Sequence, residues 1–187
     1  MIKRIFDLAL GTFSLILFGI PLTVVFIAVR ITSPGPALYW SKRIGKNNEI
    51  FLMPKFRSMK INTPQVATHL LANPDMYLTS IGSFIRKTSL DELPQLLSVL
   101  KGDMSFVGPR PALFNQEDLI ALRTAYGIEK LKPGITGWAQ INGRDEIPIP
   151  KKVEYDKYYL ENQSLTFDIK IIILTAIKVI KRDGINH

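Results

Sequence analysis

Apolar positions are spread unevenly along this chain, and their spacing predicts most of its elements. Leu8 to Val29 is a run of 22 residues without a charged side chain, long enough as one helix to cross a hydrocarbon core of roughly 30 Å. Pro21 interrupts it. This proline has no N–H, crowds the carbonyl of Leu17 and pushes Ile20 away from α geometry. The pattern therefore predicts a bend at Ile20-Pro21, with Thr23 or a neighbouring helix satisfying the freed backbone. The first arm, Leu8 to Ile20, then measures about 20 Å, enough to enter one leaflet and not to leave the other. Cations flank both ends, Lys3 and Arg4 before and Arg30 after, which expects both ends on the cytosolic face. The expectation over residues 1–31 is a re-entrant membrane helix hairpin, with a kinked spanning anchor as the alternative. Nothing near Val25 to Arg30 resembles a small-x-small cleavage site.

After the turn cluster Thr32-Ser33-Pro34-Gly35-Pro36, Ala37 to Ser41 and Phe51 to Phe56 read as two strands joined through Gly45-Lys46-Asn47-Asn48, a small β-hairpin. It carries Lys42, Arg43, Lys46, Lys55 and Arg57, a cationic surface suited to lipid headgroups. Thr63 to Asp75 has no period and reads as a loop or loose helix. Thr79 to Lys87 predicts a short helix that aims Arg86 at the acidic pair following it. Lys151 to Tyr159 mixes polar and aromatic residues that pack and pair at a helix surface. Leu165 to Ile180 is apolar but holds Lys170 and Lys178, too polar to span; it predicts an interfacial amphipathic helix. The fold class expected is α+β, mainly helical, with residues 32–187 as one structural unit beyond the membrane element.

A formal charge of +8 beside 47% hydrophobic residues points to an anionic membrane surface. Nucleic-acid binding is disfavoured, because aromatic residues are not interleaved with the basic runs. With no cysteine there is neither a disulfide nor a thiolate metal site. Two histidines, one of them terminal His187, make a histidine metal site improbable.

The chemistry concentrates in Ser89-Leu90-Asp91-Glu92-Leu93-Pro94-Gln95 and Gly108-Pro109-Arg110-Pro111. Two adjacent carboxylates lie close in sequence to Arg86, Lys87, Lys101 and Arg110. A carboxylate attacks a phosphoanhydride only where cations cancel the charge of both, and these residues offer that arrangement. Ser89-x-x-Glu92 also has capping-box spacing, in which both acids would merely favour a helix N-terminus. Pro94 would then fall at the fifth helical position and leave the Leu90 carbonyl without a partner, so the helix must be irregular or begin later.

The run SLDELPQLLSVLKGDMSFVGPRP, with KFRSM at Lys55 to Met59 and PGITGWAQINGR at Pro133 to Arg144, closely resembles the bacterial sugar transferases, the monotopic phosphoglycosyl transferases. The likeness extends from Lys3 to about Gly184. It implies transfer of a sugar phosphate from a UDP-sugar to polyprenyl phosphate, with release of UMP, at the cytosolic face of the bacterial inner membrane, as the first step of a glycoconjugate. In that reading Asp91 is the nucleophile, and Glu92 helps hold Mg²⁺ with Asp91 or manages the acceptor's proton. Lys55, Arg57, Arg86 and Arg110 contact phosphate, and Gln140, Asn142 and Arg144 contact uridine or diphosphate, or else brace their loop. Asp103 is a further metal ligand or a surface turn residue; Trp138 stacks on a base or anchors at the interface. Two positions depart from the family, Pro54 where tyrosine is common and Ile20 where serine precedes the proline. Partners implied are the UDP-sugar, polyprenyl phosphate and membrane lipids, with homo-oligomers left open. The alternative is a non-catalytic scaffold on the membrane surface.

Overall fold

The N-terminal apolar run is a single helix. In a computed structural model of the chain, which describes residues 1–64, 73–143 and 147–181, α1 (Ile2–Thr32) runs unbroken through Pro21. No interruption separates the two expected arms. One proline removes one hydrogen bond from a long ladder, and regular turns on both sides carry the helix past it. Thr23 donates its hydroxyl to the Gly19 carbonyl at 2.9 Å, not to the carbonyl of Leu17 that the proline orphans.

Helix α1 lies along the rest of the protein. Its inward stripe of Asp7, Gly11, Ser14, Val25 and Val29 is buried. Near its start, Arg4 donates to the carbonyls of Val99 and Leu100 at 2.6 and 2.7 Å. The Asp7 carboxylate accepts from the Ser105 hydroxyl and the Phe106 N–H, both at 3.0 Å. Toward its end, Val25 and Val29 join a core with Ala37, Phe56 and Ile85. The outward stripe is apolar and open: Phe13, Ile16, Leu17, Val24 and Ile27 are exposed, and Ile20 is 80% exposed.

Strands β1 (Leu38–Ile44) and β2 (Ile50–Phe56) form the expected antiparallel hairpin. Both extend further than the sequence indicates, because Asn47 and Asn48 take φ of 56° and 61° and compress the connection into a short 3-10 turn. Pro54 is tolerated in β2 because each strand of a two-stranded sheet is an edge. Next come α2 (Gly82–Lys87), α3 (Gln95–Lys101), β3 (Ser105–Val107), α4 (Glu117–Ala125), β4 (Gly134–Thr136) and α5 (Trp138–Ile141). Two long helices follow, α6 (Ile149–Glu161) and α7 (Leu165–Lys181). The architecture is mainly helical with two small two-stranded sheets, the second being a parallel β3–β4 pair that periodicity alone did not reveal. Val107, Ile141, Tyr159 and Ile171 pack a core beneath that pair. The Tyr159 hydroxyl donates to Asp168 at 2.6 Å, and Lys3 pairs with the same carboxylate at 2.6 Å, so α1, α6 and α7 are tied together.

An acidic pair between two clefts

The backbone around the acids explains the proline. Ser89 adopts φ 55°, left-handed and unusual for a residue with a Cβ, and its side chain caps nothing. Leu90 to Glu92 make one 3-10 turn, and α3 starts only after Pro94. The capping box is therefore not formed. The sharp reversal at Ser89 turns Asp91 inward, where it is 9% exposed. Burial raises its carboxyl pKa to about 6; Lys55, Arg86 and Arg110 oppose the rise, and the neighbouring Glu92 charge adds to it.

Glu92 is held from two elements. Lys55 of β2 meets its Oε1 at 2.7 Å, and an Arg110 nitrogen lies 3.5 Å from the same oxygen. Arg110 is placed by backbone contacts rather than by its flanking prolines alone. The Gly108 N–H donates to the Thr136 carbonyl and the Gly134 N–H to the Pro109 carbonyl, each at 2.9 Å. A Cβ on Gly134 would sit 2.1 Å from the Gly108 nitrogen, so the two chains touch backbone to backbone. Gly134→Ala should force them apart and cost roughly 3 kcal/mol, displacing Arg110 as well. Thermal unfolding checks this, and an unchanged melting temperature would contradict the close packing.

The Arg110 carbonyl accepts a hydrogen bond from Arg123 at 2.8 Å. Arg123 is itself buried, with Nε and Nη2 on one oxygen of Asp156 at 2.9 and 2.6 Å. Burial raises the Asp156 carboxyl pKa and the guanidinium works against it.

Two clefts flank the pair. The smaller, about 400 Å³, includes Asp91 in its wall together with Lys42, Arg43, Lys55, Lys60 and Arg86. The larger, about 670 Å³, includes Glu92 and Arg110 and is otherwise walled by apolar side chains such as Phe18, Leu96, Phe106 and Ile135 and by uncharged polar ones such as Ser14, Thr136, Gln140 and Thr175, with Lys178 at α7.

A family model described as bacterial sugar transferase matches residues 1–182. This chain belongs to the bacterial sugar transferase family. It is 44% identical over 186 residues to a UDP-glucose:undecaprenyl-phosphate glucose-1-phosphate transferase of Escherichia coli, covering 95% of this chain and 40% of the relative. It is 39% identical over 199 residues to an undecaprenyl-phosphate galactose phosphotransferase of Salmonella typhimurium, covering 98% and 41%. An uncharacterized sugar transferase of Bacillus subtilis is 42% identical over 187 residues, covering 100% of this chain and 91% of that one. The chain thus spans about two fifths of the length of the first two relatives and nearly all of the third.

Against this sugar transferase frame, the structure gathers Asp91, Glu92, Lys55, Arg86 and Arg110 into one site. Arg57 lines the cationic cleft but is 6% exposed, and its terminal nitrogens donate to the carbonyls of Pro34 and Ser33 at 2.5 and 3.0 Å. It fastens the turn after α1 to β2. Gln140 and Asn142 line the larger cleft. The Gln140 amide is buried with no hydrogen-bond partner among the described residues, whereas Asn142 donates to the Trp138 carbonyl at 2.8 Å. Arg144 lies outside the described residues. Asp103 pairs with Lys101 at 2.9 Å and lines neither cleft, as suits a turn residue. Trp138 packs among Tyr158 and Phe167 with ring centroids 5.7 and 5.0 Å away, so its contacts are internal. Sequence reasoning missed Arg123, Phe18 and Lys178, because which face of a helix meets a cleft depends on partners distant in the chain.

Proposed function

We propose that this protein transfers a sugar 1-phosphate from a UDP-sugar to polyprenyl phosphate and releases UMP. The observation that carries the reading is the buried Asp91 carboxyl, held among Lys55, Arg86 and Arg110 beside Glu92. Relatives named as undecaprenyl-phosphate sugar phosphotransferases support it. Asp91 bonds to the β-phosphorus as the bond from that phosphorus to the bridging oxygen breaks, and UMP departs. An oxygen of the acceptor phosphate then bonds to the same phosphorus as the Asp91 oxygen leaves. Covalent catalysis of this kind divides one hard transfer into two easier ones. Glu92, held by Lys55 and Arg110, faces the acceptor as a metal-holding group or a proton acceptor.

Magnesium fits the donor set. Asp91 and Glu92 offer hard carboxylate oxygens, which suit a cation whose remaining positions would be filled by phosphate and water. Bound there, it would neutralise the diphosphate leaving group. The test is UMP release across a panel of UDP-sugars with polyprenyl phosphate in nanodiscs; no UMP from any donor, with or without magnesium, would refute the reading.

The acid limb of that reaction follows from Asp91. Its carboxyl must be ionised to attack, so UMP release should fall as pH drops below about 6. Lys55→Met removes the strongest opposing charge and should move the limb to higher pH. A pH–rate profile that keeps its midpoint in the variant would mean that another group titrates.

Residues 1–31 form the membrane element of this reading and residues 32–187 the catalytic unit. Helix α1 rests in a single leaflet of the inner membrane with both ends on the cytosolic face. Support comes from its lengthwise packing on the body and from cations at both ends, Lys3 and Arg4 against α7 and α3 and Arg30 against the Gly35 carbonyl. A cysteine placed at position 2 should label only from the cytosolic side.

A further inference from the structure

Both substrates must deliver a phosphate to one phosphorus, but their remaining parts differ in kind. In-line displacement fixes the geometry: UMP leaves from the side opposite the Asp91 oxygen, and the acceptor oxygen must later attack from that same side. The acceptor phosphate therefore occupies the place that the phosphate of UMP vacates. A polar nucleoside and an isoprenoid chain then extend from one common point, and they need walls of different chemistry.

The two clefts beside the acidic pair differ in charge and in the surface that each adjoins. On the Asp91 side the cleft collects six basic side chains, the five noted above and Arg57, with Tyr39, Phe56 and Phe114 as its aromatic members. Positive charge of that density suits a diphosphate. On the Glu92 side the cleft runs between α1, which contributes Ser14 and Phe18, and α7, which contributes Thr175, Lys178 and Val179. Its basic residues are Arg110 at the acidic pair and Lys178 on α7. Phe18 and Val179 are at once wall residues and exposed, and Leu17 and Ile177 beside them are exposed too. This cleft is therefore continuous with the open apolar faces of both helices.

Resting on the transferase reading above, we infer that the substrates share one phosphate position at the acidic pair and diverge from it, the donor's nucleoside into the cationic cleft and the acceptor's first isoprene units into the cleft between α1 and α7. The cleft between α1 and α7 thus opens on the lipid through their exposed apolar faces, so a polyprenyl chain enters it without leaving the bilayer. The cationic cleft admits the nucleotide from the aqueous side. Gln140, buried without a partner among the described residues, offers its amide to the acceptor phosphate.

The two half-reactions separate these assignments in the full-length protein. UMP release without acceptor reads the first, and formation of lipid-linked product from saturating UDP-sugar reads the second. Val179→Trp and Lys178→Glu alter exposed positions on the cleft between α1 and α7, so they spare the fold. They should leave the UMP burst within about twofold of wild type and raise the KM for polyprenyl phosphate by about tenfold or more. Lys42→Glu, exposed on the cationic cleft, should do the reverse, raising the KM for UDP-sugar and sparing that for the acceptor. UMP should compete with the acceptor, and uridine, which lacks the phosphate, should not. Equal loss of both half-reactions in the α7 variants, or competition by uridine, would overturn the divergence. A wild-type protein that gives no UMP burst would instead refute the transferase reading itself.

Discussion

Replacing Asp91 by asparagine is expected to abolish UMP release and, in the same molecule, to raise the melting temperature at pH 8. Folding moves this carboxyl from its ordinary pKa of 3.8 to about 6, chiefly by burial. An acid whose folded pKa is raised favours the fold fully below pH 3.8, and that contribution is lost as pH rises through 6. At pH 8 the ionised Asp91 therefore costs about 3 kcal/mol. Asparagine has nearly the same shape and no charge to bury. Thermal unfolding at pH 5 and pH 8 should show a smaller difference in the variant than in wild type. A variant that still released UMP at a substantial rate would remove Asp91 as nucleophile. A variant less stable at pH 8 would mean that the surrounding cations outweigh burial.

The second large effect lies away from the acids. Arg123→Met leaves Asp156, 1% exposed, without its guanidinium, and breaking a buried pair in this way costs about 3–5 kcal/mol. It also removes the donor from the Arg110 carbonyl. Pairing it with Asp156→Leu removes the stranded charge and should recover much of the stability, because a packed apolar pair is often as stable as a buried ion pair. It cannot restore the hydrogen bond to Arg110. The double variant should therefore fold well and remain slow, with kcat reduced and the pH–rate midpoint unchanged. Recovery of both stability and kcat would show that Arg123 acts only as a structural support.

The part of the site legible in the sequence is the part whose geometry is local. Asp91, Glu92 and Arg110 lie within twenty positions of one another, and the need of a carboxylate for compensating cations links them before any fold is known. Pro94 likewise announces its own effect, since a missing N–H forbids the early helix start wherever it occurs. The Arg123–Asp156 pair and the β3–β4 contact are different. Each joins segments roughly thirty residues apart, and no periodicity within either segment encodes the partner. Helix α1 continues through Pro21 because a proline's cost is local, whereas its contacts with the body, at Val99, Leu100, Phe106 and Ile85, come from residues distant in the chain. The family resemblance of KFRSM implies that Arg57 contacts phosphate, while in the fold its terminal nitrogens donate to two backbone carbonyls.

The lengthwise seat of α1 makes this helix inseparable from the fold. Excising α1 to obtain a water-soluble fragment would uncover Phe56 and Ile85, and would strip the Phe106 N–H and the Ser105 hydroxyl of Asp7, their acceptor. The body can thus complete its core only once α1 is seated against it, so helix and body mature as a single unit.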